Sequence, residues 1–406
     1  LEVDVSVSEA VRWLCRPEAI RVRSGVLMHR IEAGESAHWR WDEAAWPGLV
    51  AFVAEHIRGN YPTLEIPYHG RLRHFSDAAL ARLAGADAAA MLDLIVVSVL
   101  LDAGAGESWR WVRPWDQTTW ARSEGLAEAS LWMFEQGLFS SQAGQPWRVD
   151  AAGLKGLTLE ALAQGFQVGP DNPMVGLEGR HGVLVALGEA LEADGALCVG
   201  GRPSGLLEAV EARYGADGGR VLQASALMGL VLEGFGSIWP GRTVLDGVNL
   251  GDVWPHEAAV GGGPAGSDGF VPFHKLSQWL TYSLFEPLEQ AGWTIVDADG
   301  MTGLPEYRNG GLLIDRGVLK AVAPERLLAE EHATGSELVV EWRAATIVAL
   351  DRLGEALRAE FGLDAAAFPL VKVLQGGSWS AGRVAAKLAR EGGGPPVRVE
   401  RDGTVF

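Results

Sequence analysis

A chain of 406 residues, 48% of them hydrophobic, can bury one large core or two intimately packed lobes, which excludes intrinsic disorder. Acidic residues number 52 against 34 basic ones, so nucleic acid, which needs a broad basic face, is excluded as a partner, whereas a small anion in a local basic pocket is not. Cys15 and Cys198 are the two cysteines and lie outside any CxxC or Cys/His cluster, so neither a disulfide framework nor a metal site is expected; no cofactor motif occurs, and the expected compartment is cytoplasmic.

The opening LEVDVSVSEAVRWLC is interrupted by acids and lacks the basic start and apolar run of a signal peptide. The chain starts on Leu1 rather than Met, which reads as a trimmed or omitted leader. Trp46, Leu49, Val50, Val53 and Ile57 recur at helical spacing and stop at Gly59-Asn60 with Pro62 beyond, the pattern of a helix and its end. In IPYHGRLRHF (66–75), His69, Arg71, Arg73 and His74 interleave with aromatics. Such a patch can hold a phosphate or a sugar edge, or can be a buttress of stacked side chains. A helix is predicted over 86–101; its LIVVSVLL stretch falls short of the roughly 18–20 apolar residues of a membrane span, so no membrane partner is expected.

Further along, Arg122, Ser123, Glu124 and Gly125 are predicted as the first turn of a helix, whose free N–H groups favour an anion unless Ser123 caps them. Helical patterns also cover 125–137, 180–193, 221–234, 273–290, 338–360 and 380–390. The glycine-rich stretch at 259–269 is the best internal break, a surface loop or a lid; no Gly-Lys-Ser/Thr follows, so it is not a phosphate-cradling P-loop. In the 273–290 helix, Phe273, Leu276, Leu280, Leu284 and Leu288 form an apolar stripe, while Lys275, Gln278 and Tyr282 share another face fit to line a pocket. WTIV at 293–296 reads as a strand, and Asp402-Gly403 as the turn of a C-terminal hairpin.

Between Pro305 and two glycines stand Glu306, Tyr307, Arg308 and Asn309, a density of chemical groups that marks either a site or a helix cap with a solvated ion pair. Thr334 and Glu337 fit a capping box for the next helix, in which Glu341 and Arg343 need partners if buried. Gly376-Gly377-Ser378 before a helix, with Arg383 one turn in, repeats the anion-site idea. With no internal repeat and no linker, the chain reads as a single compact helical enzyme, or as two packed lobes parting near 259–269. The fold class is mainly α with a few short strands.

RGNYPTLEIPYHGRLRHF, SVLLDAGAG with WRW, ARSEGLAEASLWMF, GFQVGPDNPMVGLEGR, PFHKLSQWLTYSLFEPLE, GLPEYRNGGLLIDRGVL, SELVVEWRA and DGTVF together resemble the uracil catabolism protein family of fungi and bacteria. The resemblance implies a pathway in which uracil is carried as a ribosyl derivative, its ring is opened and urea is released. FHKLSQWL, GLPEYRNGGLLIDRGVL and GSELVVEWRAAT also follow the order of a Lys-x-x-Gln helix, an acid-Tyr-Arg turn and an acid-x-Arg-Ala helix in the queuosine salvage N-glycosylases, which resemble DNA glycosylases in architecture. Glu306 stands where those enzymes carry an aspartate.

This similarity implies catalytic roles for Glu306 and Lys275. Arg308, Tyr307, His274, Gln278, Arg122, Ser123, Glu124, His69, Arg71, Arg73, His74, Asp102 and Arg343 become candidates for substrate binding. The expected reaction is hydrolysis of an N-ribosyl bond in a small ribosyl substrate, with or without a 5-phosphate, by a monomer or homodimer. Two alternatives stand beside it. IVDADGMTG loosely resembles the ribosyl-pyrophosphate loop of phosphoribosyltransferases, and a nucleotide sensor of the same pathway would keep the pocket without turnover.

Overall fold

A computed structural model of the chain describes residues 7–216, 218–400 and 405. The fold is mainly α, with strands of two or three residues paired only two by two. It divides into two compact units. The first takes in the described residues up to His69, Gly241–Gln278 and Asp297–Glu400; the second takes in Gly70–Pro240 and Trp279–Val296, with Val405.

The first unit is organised around the 25-residue helix Glu337–Phe361, which buries Val339, Val340, Trp342, Ile347, Leu350, Leu353 and Leu357 and ends on Gly362 in the left-handed region. Helices Pro17–Glu32, Trp46–Asn60, Tyr307–Asp315 and Leu370–Val373 pack on it. Close approach is bought by glycine. A Cβ on Gly310 would lie 2.7 Å from the Trp342 ring, and one on Gly382, in the Trp379–Ala389 helix, 2.6 Å from the Arg308 carbonyl oxygen. Trp39–Trp41 pairs antiparallel with Leu319–Ala321, and Val253–Pro255 with Phe270–Pro272. The glycine-rich 259–269 loop lies in this unit and is pinned by Arg23, which donates to Gly261 O at 2.6 Å, Ser267 Oγ at 2.9 Å and Asp268 Oδ1 at 3.0 Å.

The second unit centres on helix Ala88–Leu100, capped by Asp87 and buried at every position from Ala90 to Leu100. A helix apolar all round belongs at the centre of a core. Arg122–Glu135, Leu177–Ala193 and Phe285–Gln290 pack against it. The charge it buries, Asp93, accepts from Arg202 Nη2 at 2.6 Å and from the N–H groups of Val149 and Ser204.

Several sequence expectations are corrected. The 273–290 helix is two helices, Lys275–Ser283 and Phe285–Gln290, because Pro287 lacks an N–H and its ring opposes the carbonyl four residues back. The first of them starts at Lys275 because His274 has φ +47°, outside the helical region. Residues Val221–Gln223 form a strand parallel to Thr294–Val296, and the helix there begins only at Ala224. Gly376-Gly377-Ser378 is not a helix start. Helix Leu370–Val373 runs through a π-helical turn, Leu374–Ser378, into Trp379–Ala389, so these amides lie inside continuous helix. The Thr334/Glu337 capping box does not form: Ser336 is the N-cap, which puts Glu337 at the first helical position rather than the third, and the Thr334 hydroxyl donates to Glu400 O. The C-terminal turn at Asp402-Gly403 lies outside the described residues.

Candidate active site

In the first unit, Glu306 is the N-cap of helix Tyr307–Asp315. Its backbone is extended (φ −112°, ψ 169°), and its carboxylate folds back so that Oε2 accepts the Arg308 N–H and Oε1 the Asn309 N–H, each at 2.7 Å. Glu306 is 8% exposed. Burial pushes its pKa above the ordinary glutamate value, against the pull of the Arg308 N–H, the Lys275 ammonium, the Asn309 N–H and the Arg308 guanidinium. Asn309 donates Nδ2–H to Leu304 O at 3.0 Å, and its Oδ1 is buried with no hydrogen-bond donor among the described residues.

Lys275 opens its helix with its N–H on Asp252 Oδ2 at 2.9 Å, so Asp252 supplies the cap. His274, 3% exposed, donates from Nε2 to Leu14 O at 2.9 Å, and burial lowers its pKa toward the neutral ring. Gln278 is fully buried. Its amide donates to Phe273 O at 3.0 Å and Thr302 Oγ1 at 2.8 Å and accepts the Thr302 N–H at 3.0 Å, clamping the Lys275 helix to the segment that leads into Glu306. Arg343 meets Asp252 through both amino groups, at 2.7 and 2.8 Å, and donates Nε–H to Pro305 O at 3.3 Å. Its guanidinium lies 4.1 Å over the Phe273 ring.

Arg308 is nearly buried, its guanidinium 5.0 Å over the Tyr307 ring and its Nη1 3.4 Å from Gly393 O. The same two residues line a narrow crevice with Asp315, Gly382 and Arg390. His69 also belongs to this unit, where Nδ1 donates to Gln375 Oε1 at 2.9 Å and the ring tilts against Trp379 at 5.5 Å. Glu341 is held by Ser36 Oγ at 2.5 Å and lies 3.6 Å from His256 Nε2; burial pushes its pKa up, but the nearby His256 and the Ser36 bond outweigh it and the net shift is downward.

The remaining candidates stand in the second unit. Arg71 is fully buried; Nε donates to Ser98 Oγ at 2.7 Å, and Nη1 reaches Ser123 Oγ at 3.0 Å and Asp102 Oδ1 at 2.9 Å. Its Nη2 has no hydrogen-bond acceptor among the described residues. Burial lowers its pKa, opposed by the charges of Asp102 and Glu124. The Ser123 hydroxyl donates to Asp102 at 2.6 Å, so it does not cap the helix, whose N-cap is Ala121 without a side-chain bond. Arg122 and Glu124 complete the first turn, Arg122 at φ +54°. Arg73 pairs with Glu286 at 2.8 Å, and His74 meets Trp279 edge-on at 5.5 Å.

Sequence reasoning missed Asp252, Thr302 and Ser98. Ser98 had a signal, a hydroxyl inside the apolar run LIVVSVLL, where burial demands a partner. Asp252 had none, because the groups it joins lie 23 and 91 residues away.

A family model described as "Protein of unknown function (DUF1688)" matches residues 13–406. The chain belongs to the DUF1688 family. One relative, "Protein urg3" of Schizosaccharomyces pombe, is 38% identical over 424 residues, 98% of this chain and 100% of the relative. A second, "Uracil catabolism protein 4" of Lachancea kluyveri, is 37% identical over 411 residues, 92% of this chain and 93% of the relative. The resemblance of this chain to uracil catabolism proteins, read from the sequence blocks, therefore holds over nearly its whole length. Among the described residues of this DUF1688 chain, no helix is long and apolar enough to cross a membrane.

Proposed function

We propose that this protein serves uracil catabolism as a hydrolase of an N-ribosyl bond in a ring-opened pyrimidine riboside, N-ribosylurea or its 5-phosphate. The pathway comes from the name of the Lachancea kluyveri relative. The reaction rests on one observation: Glu306 is a buried carboxylate fixed by two main-chain N–H groups and under the electrostatic influence of Lys275.

Departure of a ribosyl nitrogen builds positive charge on the anomeric carbon, and a preorganised carboxylate stabilises that charge far better than water does. In the proposed step the C1–N bond breaks and its electron pair leaves with nitrogen. Water attacks C1, Glu306 takes a proton from the water, and that proton ends on the released nitrogen, giving urea and the free sugar. The Lys275 ammonium favours the ionised form of Glu306, in opposition to burial. Asn309 Oδ1 offers an acceptor for a substrate N–H or O–H.

The experiment is release of urea and free sugar from N-ribosylurea, with and without the 5-phosphate, by the wild type and by Glu306→Gln. Release by the wild type alone supports the hydrolase. Binding of both substrates without release by either protein sinks it in favour of the sensor.

A further inference from the structure

We propose that Asp252 and Arg343 are a positioning pair that hangs both working groups of the first unit, Lys275 and Glu306, from a single ion pair. The inference rests on the roles just given to those two residues. Asp252 does three things at once. Its Oδ2 accepts the Lys275 N–H, its main-chain oxygen accepts the N–H groups of Phe273 at 2.9 Å and His274 at 3.3 Å, and its Oδ1 accepts the Trp254 indole N–H at 2.7 Å. It thus fixes the residue before Lys275 as well as Lys275 itself. His274 sits in the left-handed region at φ +47°, a conformation kept only where the surroundings over-determine it, here by Asp252 on its main chain and Leu14 O on its ring.

Arg343 carries the constraint to the other side. It is 1% exposed, both amino groups are spent on Asp252, and Nε–H reaches the carbonyl of Pro305, the residue before Glu306. A planar fork matched to a carboxylate sets angle as well as distance, which a single-point ammonium does not. A buried ion pair is a poor device for stability alone, because desolvation consumes most of the attraction. One whose two ends terminate on the supports of Lys275 and Glu306 has a better use in holding their separation.

Asp252→Asn and Arg343→Gln test this, with Glu306 followed by carbon-13 labelling of glutamate carboxyls and its resonance assigned by loss in Glu306→Gln. Asp252→Asn leaves Arg343 positive without a counter-charge, so Glu306 titrates at lower pH. Arg343→Gln leaves Asp252 negative, so Glu306 titrates at higher pH. The double variant restores the charge balance but not the support: with Lys275 released, its Glu306 titrates above the wild-type position, where a charge effect alone would return it, and kcat stays at least tenfold down with KM within about twofold. The charged and titratable groups that share this environment are Lys275, Arg308 and His274, of which His274 itself feels the charges of Asp252 and Arg343.

A Glu306 titration above the wild-type position in the double variant supports the pair. A return to the wild-type position in a folded double variant overturns it. If Arg343→Gln does not fold, Arg343→Lys carries the test: it keeps the charge and loses the fork, so kcat falls at unchanged KM with the acid limb at its wild-type pH, and a fall confined to KM overturns the proposal. The titrations use ligand-free protein, so the two readings fail separately. A raised Glu306 titration in the double variant without hydrolysis keeps the pair and sinks the hydrolase; hydrolysis with that titration back at the wild-type position does the reverse.

Discussion

Replacing Glu306 by glutamine separates a catalytic carboxylate from a helix cap. In the wild type both oxygens accept main-chain N–H groups at 2.7 Å. Glutamine keeps one acceptor and turns an amide N–H2 toward the second donor, leaving a buried N–H without a partner. Loss of a cap costs about 0.5–2 kcal/mol, and a donor left buried about 1–3 kcal/mol. The two overlap, and relief from burying a charge acts in the opposite sense, so a net loss of about 2 kcal/mol is expected. Against a total stability on the order of 5–15 kcal/mol the variant stays folded at room temperature, and urea unfolding shows a lower midpoint with unchanged slope. Turnover falls much further, by about 10²- to 10⁴-fold, which is about 2.7–5.5 kcal/mol of barrier. Glu306→Asp is the companion: it keeps the charge and caps equally well, but withdraws the carboxylate by one methylene, for which a loss of about 10²-fold is expected. The assays are urea release from N-ribosylurea and equilibrium unfolding on the same preparations. A folded Glu306→Gln that turns over within tenfold of the wild type shows that Glu306 only caps its helix, and the mechanism is then wrong.

Because burial holds the Glu306 carboxyl above its ordinary value, the acid limb of kcat/KM should lie above the pKa of about 4.3 of a free glutamate. Lys275→Met removes a charge that pulls Glu306 down, so the limb should move to still higher pH; a downward move contradicts the pairing. Asp252 behaves in the opposite sense: burial would raise its pKa, but the charge and bonds of Arg343 outweigh it and the folded value is depressed. Its stabilisation is present above the unfolded value of about 3.9 and is lost as pH falls through the folded one, so acid unfolding of Asp252→Asn should depend less on pH below about 4 than that of the wild type. Gly382→Ala drives a methyl to 2.6 Å from Arg308 O and should cost about 1–3 kcal/mol in urea unfolding; an unchanged midpoint would show that the Arg308 turn yields freely. In the second unit, Arg71→Met strips Asp102 and Ser123 of their buried guanidinium and should cost about 3–5 kcal/mol, which hydrogen exchange along Ala88–Leu100 would register as lost protection.

The helices that sequence periodicity locates best are those whose burial is decided locally. Trp46–Asn60 shows one apolar stripe and a stop signal, and Ala88–Leu100 is apolar but for Asp93 and Ser98 between Asp87 and Leu101. Glu306 could be singled out for a related reason, since Pro305 and the glycines at 310 and 311 punctuate the chain around a cluster of polar groups. What stayed hidden is set by distant partners. Val221–Gln223 has the apolar content of a helix and becomes a strand only because Thr294–Val296 lies beside it. The separation of Gln278 from a pocket-lining role is equally non-local: its amide faces Thr302, 24 residues on, and nothing in Lys-x-x-Gln announces that partner. The left-handed His274 is the same kind of case, because its backbone is imposed by Asp252 and Leu14 against its own preference.

Two carboxylates in the first unit, the buried Glu306 and the partly buried Asp252, are pushed in opposite directions, and the contrast fits the different work proposed for each. Asp252 meets a bidentate guanidinium and two further N–H donors, so every lone pair that could act on a substrate is already committed and the group is locked in its ionised form. Glu306 receives two neutral N–H donors, one per oxygen, and only the longer-range influence of Lys275 and Arg308, so burial wins and its proton affinity rises. A carboxylate whose affinity for a proton is raised, and which keeps a lone pair on each oxygen, can accept a proton from water; one that is saturated and depressed can only hold geometry. Moving Glu306 down in pKa by an added cation, for example Leu304→Lys in a variant shown to fold, should slow turnover at neutral pH while leaving substrate affinity intact. If turnover rises instead, Glu306 acts through its negative charge on the anomeric carbon rather than as the base.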